Sequence, residues 1–411
     1  MKRKVLSLVR NAYTNDARVE KTVNSILKMG YSVVVIAQKA YIDLPICEKR
    51  KYTIIRVPLF SSIYAKVRTK SITMLEKRSK KNWKNRFYFF IKNFKIRLLL
   101  ISFLNTIAYN ILTFIVGVFN RPNIIYANDL DTLLVAFLIA KFTRAKIIYD
   151  SHEIWFHGSV YRSSSKLKQY IWRVIEKRII KCIPVVIMVS QTGADHLKEK
   201  YGLNDVVVLR NCSPYQDVKQ TNLLRHEFNI PLDNKILIYQ GLLKRVRGVF
   251  DVVDAVKTLD NVTVVFLGEG SDKNELFSYI IKLNLQHRIF IKDSVPYKQL
   301  LSVIASADVG LQPFHYTLNH YISLPNKLME CIMAGIASIG SNFPEIEKVI
   351  LGNELGLVHH EQNIDELRDA IKKLISDDAF LNKCKNNALK VRKQYSWEHD
   401  EPILKLIMDK F

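Results

Sequence analysis

The chain's most suggestive chemistry lies in its second half. In "HYISLPNKLMECIMAGIASIGS" (residues 320–341), Pro325, Lys327 and Glu330 sit on the opening turns of an otherwise apolar helix that Gly335 would close. A helix starting there turns the amides of Asn326 and Lys327, with their partial positive charge, toward an anion. Lys327 adds a point charge, and Glu330, one turn later, can accept hydrogen bonds from a pair of ribose hydroxyls. The plainer alternative is that Pro325 only starts the helix, Lys327 is solvated and Glu330 is a cap. Upstream, "YQGLLKRVRGV" (239–249) places Gly241 at a strand end and Arg247-Gly248 at the next helix start. Two cations and one helix terminus suit a diphosphate. "FLGEG" (266–270) adds Gly268 at a further strand end, a weak signal alone.

Such residues need strands to carry them, because ligands of doubly wound sheets lie beyond the carboxyl ends of the strands. "KVLSLVR" (4–10), a helical stretch over 16–29 and "SVVVIA" (32–37) form a first βαβ unit, with Gly30 as the helix end. The pattern resumes with "PNIIYAND" (122–129), a helix over 131–141, "AKIIYDSHE" (145–153), a basic amphipathic helix to Lys181, and "PVVIMVS" (184–190). A strand is also expected in "DVVVLRNCSP" (205–214), before a polar connector. A second series runs through "KILIYQG" (235–241), a helix near 248–258, "VTVVFLGEG" (262–270), "RIFIKDSV" (288–295) and "ADVGLQP" (307–313). Strands apolar throughout belong to parallel sheets covered on both faces. The fold class is therefore α/β: two tandem Rossmann-like doubly wound parallel-sheet domains, 1–211 and 212–394. Residues 395–411 are expected to form a terminal helix packing back toward the first domain.

A chain of 411 residues with 48% hydrophobic residues fits two folded domains. Its five scattered cysteines show neither C-x-x-C spacing nor paired histidines, so no disulfide framework or metal site is indicated, and a reducing compartment fits best. The N-terminal apolar run is too short for a secretory h-region. Net charge is +24, which predicts a polyanionic partner. Residues 66–97 hold 12 Lys or Arg and one acid, Glu76, interleaved with aromatics. Lys80, Lys81, Trp83, Lys84, Arg86, Phe87, Phe90 and Phe94 are the expected membrane-associating set, a basic face with an aromatic stripe. The apolar run 98–119 has the length to span a bilayer, but Asn105 and Asn110 interrupt it, and a span would divide one sheet between two sides of the membrane. It is read as an in-plane or core helix. Single-strand nucleic-acid binding is a weaker reading of the basic cluster, since no recognition motif accompanies it.

Nearly the whole chain resembles glycosyltransferase family 4, the retaining, nucleotide-sugar-dependent enzymes of the GT-B fold, in which the two domains face each other across a cleft. "PNKLMECIMAG" with the upstream "QG…RG" carries the resemblance most specifically, supported by "NDARVEKTVNSILKMGYSVVVIA", "ANDLDTLLVA", "KIIYDSHEIW" and a closing "YSWE". The resemblance implies catalytic roles for Arg247, Lys327, Glu330 and His152. Arg247 takes the place of a diphosphate-binding Lys, Glu330 that of a ribose-binding Glu, and His152 that of a His facing the donor sugar. Gly241, Gly248, Gly268, Asn326 and Leu328 complete the donor side. Asp16, Arg18, Asp129 and Glu153 border the acceptor, although Asp16 also fits a helix N-cap. Three departures accompany this. Ile322 replaces the first of the family's two glutamates, Leu242 replaces the usual Arg after the strand glycine, and "NAYTND" (11–16) lacks the glycine-rich loop. Lys244 or Arg245 could then share the phosphate with Arg247.

The expected reaction is retaining transfer from a nucleoside-diphosphate sugar, with UDP-sugar as the leading donor, to a lipid-linked glycan in bacterial capsule, O-antigen or exopolysaccharide assembly. No cofactor, metal or nucleic acid is expected. The expected place is the cytoplasmic face of an anionic membrane. A degenerate, membrane-bound scaffold and a nucleotide-sugar epimerase are the rivals.

Overall fold

Continuous runs of Val and Ile build two parallel sheets. A computed structural model describes residues 2–14, 16–39, 44–59, 104–154 and 166–411. The first sheet comprises β1 (Lys4–Leu8), β2 (Ser32–Lys39), β3 (Cys47–Lys49), β4 (Thr53–Pro58), β5 (Ile124–Asn128), β6 (Lys146–Ser151), β7 (Val185–Met188) and β8 (Val207–Val208). Their spatial order is β3-β4-β2-β1-β5-β6-β7-β8. Val5 pairs with Val33 on one side and Ile124 on the other, both in parallel, whereas β3 runs antiparallel to β4.

The second sheet comprises β9 (Lys235–Gln240), β10 (Val262–Leu267), β11 (Ile289–Lys292), β12 (Val309–Gln312), β13 (Ala337–Ser341) and β14 (Gly356–His359), in the order β11-β10-β9-β12-β13-β14. Chain direction through the sheet reverses between β9 and β12. That reversal opens a crevice at the ends of these two strands, the usual ligand position of doubly wound sheets. Its core packs Leu237, Val264, Phe266, Leu311 and Ile339, all fully buried, against the helices Val249–Val256 and Ile364–Ser376.

Several boundaries move relative to the sequence reading. The helix expected over 131–141 covers Leu130–Thr143, and the basic helix covers Lys166–Ile179 before a 3-10 turn, Ile180–Cys182. The strand expected in 205–214 shrinks to the edge pair β8. Clustering divides the chain into two compact units: Met1–Ile187, Leu197–Val207 and Lys405–Phe411 form one, Met188–His196 and Val208–Leu404 the other. The end of the terminal helix Trp397–Asp409 thus belongs to the first unit, where Tyr31 donates to the Met408 carbonyl at 3.3 Å.

The eight expected membrane-associating residues, Lys80 to Phe94, lie outside the described residues. Of the apolar run 98–119, residues 104–119 are described and form one helix. Among the described residues no helix is long and apolar enough to cross a membrane.

Candidate functional site

In the second unit, β9 delivers Gln240 and Gly241 to the crevice. Gly241 has φ 114, and a Cβ there would lie 2.7 Å from Lys327 Cε, so only glycine leaves the lysine its place. After the 3-10 turn Arg245–Arg247, Gly248 (φ 71) starts the helix Val249–Val256; a Cβ would stand 1.8 Å from the Pro313 carbonyl oxygen. This close approach ties the Arg247 turn to the end of β12. Gly268 closes β10, its N–H donating to Lys292 O at 2.8 Å.

The helix Asn326–Ala334 begins at Pro325 without a side-chain cap, which leaves its opening amides available to an anion. Lys327 is buried at 8% exposure, so it is not the solvated residue the plainer alternative supposed. Its Nζ lies 3.5 Å from the Tyr239 ring centroid and 5.3 Å from that of Phe314, with no hydrogen-bond partner. The Arg247 guanidinium is 5.7 Å from the same Phe314 ring. Burial, reinforced by the Arg247 charge, pushes the Lys327 amine well below the ordinary lysine range. Burial likewise raises the Glu330 carboxyl, against the Gln240 amide that donates to it at 3.4 Å. The same amide donates to the Lys327 carbonyl at 3.0 Å and so locks β9 to the helix. Two basic side chains, neither bonded to a carboxylate among the described residues, stand beside an uncapped helix start, an arrangement that could receive an anion.

Arg247, Lys327, Glu330 and the three glycines therefore converge at one crevice, with Asn326 and Leu328 in the first turn of the helix. Arg245 does not join them. Its guanidinium pairs with Glu275 at 2.6 Å and covers the Phe250 ring at 3.9 Å. Ile322 is buried, and its carbonyl accepts the Ser190 hydroxyl. Two histidines escaped the sequence reading, although the H-x4-H spacing just before "LPNK" marks them. His320 stacks on Phe314 at 4.8 Å, and burial, aided by Arg247 and Lys327, lowers it to about 4. His315 Nε2 lies 2.8 Å from Asp251.

In the first unit the candidates gather where β1, β5 and β6 end. Asp16 caps the helix Ala17–Lys28, its Oδ1 accepting the Val19 N–H at 3.1 Å. Arg18, expected to border an acceptor, instead points inward. It is 5% exposed and grips Asp150 with two bonds, at 2.6 and 3.2 Å. The turn to the core is driven by Asp150, a fully buried carboxylate that also accepts the Tyr126 hydroxyl at 2.8 Å. Burial disfavours the Asp150 charge, but Arg18 and then His152 hold it below the usual carboxylate range.

His152 stands between two acids, with Nδ1 3.2 Å from Asp129 Oδ2 and Nε2 3.4 Å from Asp150 Oδ2. Burial alone would lower its pKa; Asp129 and Asp150 raise it to about 10, which makes it an imidazolium near neutral pH. Such a group donates hydrogen bonds and cannot act as a base. Asp129 reaches His152 at a cost. Its backbone sits at φ 63, ψ 165, a region almost confined to glycine, and its Oδ1 accepts the His152 N–H at 3.2 Å. Glu153 is exposed on the same loop. Among the described residues no group of three or more His, Cys, Asp or Glu is placed to hold a metal ion.

Two family models match successive parts of the chain: Glycosyltransferase Family 4 over residues 18–212 and Glycosyl transferases group 1 over 220–391. An uncharacterized glycosyltransferase of Methanocaldococcus jannaschii is 20% identical over 293 residues, 67% of this chain and 72% of that one. HepE of Anabaena, solved with UDP and glucose, superposes with a TM-score of 0.72 at 13% identity over 100% of both chains. WaaG, a glycosyltransferase involved in lipopolysaccharide biosynthesis, superposes with a TM-score of 0.66 at 12% identity, covering 98% of this chain and 99% of that one.

Proposed function

The chain belongs to glycosyltransferase family 4 and has the GT-B fold, and from that premise we propose a retaining transfer of a sugar from a nucleoside-diphosphate donor, a UDP-sugar, to a lipid-linked glycan. The observation that carries the donor assignment is the buried, unpartnered Lys327 amine beside Arg247 and an uncapped helix start. As the bond between the sugar's anomeric carbon and the phosphate oxygen breaks, its electron pair stays on the diphosphate. Lys327, Arg247 and the amides of Asn326 and Lys327 meet that charge with groups already in place. Glu330 receives the ribose hydroxyls. The acceptor hydroxyl bonds to the same carbon from the face the diphosphate leaves, and its proton passes to the departing phosphate oxygen. No cofactor or metal takes part in this scheme. By the family likeness His152, held as a cation between Asp129 and Asp150, is the group assigned to face the sugar.

The likeness to WaaG and the +24 charge favour an acceptor on an anionic membrane, in bacterial surface-polysaccharide assembly at the cytoplasmic face. Buried Ile322 at the place of a donor-contacting glutamate favours the second reading, a catalytically silent scaffold. Calorimetry with UDP, GDP and ADP decides between them. Binding of one diphosphate, weakened at least about tenfold by Arg247→Ala and by Glu330→Ala, is the expected result. Absence of binding by all three, with membranes present, would leave the scaffold.

A further inference from the structure

We propose that the outward face of the helix 104–119 contacts lipid, lying in the plane of an anionic bilayer. This rests on the membrane-surface reading above and gives that reading a place in the fold. Every exposed residue of this helix is large and apolar: Leu104, Ile107, Ile111, Ile115 and Phe119, with accessibilities of 43%, 41%, 53%, 43% and 83%. Steps of three and four residues align them in one stripe. Polar contacts lie on the inner side. Tyr109 donates to the Val9 carbonyl at 2.9 Å, and Arg10 to the Thr106 hydroxyl at 2.6 Å. Thr113 and Gly117 are buried, and a Cβ at Gly117 would come within 2.4 Å of Ile139, so the helix presses tightly on Leu130–Thr143. A helix facing water would show the opposite arrangement.

The stripe extends onto the neighbouring helix at Leu138 and Phe142, exposed at 39% and 71%, where Phe142 meets Phe114 edge-on at 5.1 Å. Soluble monomers seldom leave so continuous an apolar face uncovered. The surrounding charge identifies what covers it. Arg121, Lys141, Arg144 and Lys146 flank Phe119 and Phe142 along the chain and are exposed. No acid occurs anywhere in 98–128, and the preceding 66–97 carries 12 basic residues against one acid. An apolar stripe within a purely cationic rim matches acyl chains beneath anionic headgroups. At roughly 1.5 Å per residue the helix is about 24 Å long, short of a bilayer core of about 30 Å, so it lies flat.

The test places a reporter on the stripe. Full-length protein carrying Ile111→Trp is compared with the unsubstituted chain, using vesicles of phosphatidylcholine with or without phosphatidylglycerol, and the same lipids with brominated acyl chains. The expected difference spectrum shifts to the blue and is quenched by bromine only with anionic vesicles. Changing Ile107, Ile111 and Ile115 together to Gln should lower vesicle partitioning at least about tenfold, with UDP binding unchanged. A spectrum already blue without vesicles would mean that another part of this chain covers the stripe. A blue shift that grows with protein concentration would assign it to a second copy, and either result overturns the proposal. It also falls if vesicle binding survives the triple change and disappears when Lys80, Lys81, Lys84 and Arg86 become Glu, which leaves adsorption by charge alone. Failure of UDP to bind would sink the donor site without touching this surface.

Discussion

Lys327 shows how a buried charge can be made ready for a ligand. Burial and Arg247 push its amine toward the neutral form, and a diphosphate would reverse that by pairing with the ammonium. Donor binding at mildly alkaline pH is therefore expected to take up a proton. Calorimetry in buffers of different ionisation enthalpy measures this directly, and Lys327→Met should abolish the uptake while weakening UDP about tenfold or more. His152 makes the opposite case. Its folded pKa of about 10 exceeds the ordinary 6.5, so the stability it contributes is complete below pH 6.5 and disappears as pH rises through 10. Urea titrations should show the unsubstituted protein losing its advantage over His152→Gln across that window. Activity should stay level through neutral pH, where the imidazolium does not titrate. Neither environment is visible in sequence. The partners of Lys327 lie on β9 and in the loop after β12, and Asp150, which captures Arg18, is 132 positions away from it.

Parallel strands were legible because burial on both faces removes polar residues from them, as in "KILIY" of β9 and "VTVVF" of β10. The helix Asn326–Ala334 and its Gly335 cap were legible for a similar local reason, since Pro and Gly fix backbone angles by themselves. Strand β3 was not, because exposed Cys47 and Lys49 around half-buried Glu48 on an antiparallel edge leave no apolar run. Nor was the brevity of β8, where a β-branched string at a sheet edge finds a partner for only two residues. The Arg247 turn offers a test at this scale. Gly248→Ala forces a methyl against the Pro313 carbonyl at positive φ, and should cost on the order of 2–4 kcal/mol. A lower urea midpoint with unchanged slope would register it; donor affinity should fall as well, because this contact holds the turn.

At the scale of the molecule, the two units share out the chemistry. One carries Lys327 and Arg247 at its switch point, the other a histidine clamped between acids. The terminal helix Trp397–Asp409 is divided between them, with Leu404 assigned to one and Ile407 and Met408 to the other, all three at most 1% exposed. Net charge of +24 was readable from composition and bears on attraction to polyanions rather than on which sugar is transferred. Asp129 bears on the chain as a whole. Its glycine-only backbone means that Asp129→Gly should relieve about 1–3 kcal/mol of strain, while removing the carboxylate that clamps His152 and the stability that pair contributes, so the thermal midpoint reads the difference between the two. A library of variants screened only for survival after heating would therefore favour glycine at this position only in clones where His152 had changed as well. Clones that lose both residues together would keep the fold and lose the clamp, so heat selection by itself would be blind to whatever that clamp is for.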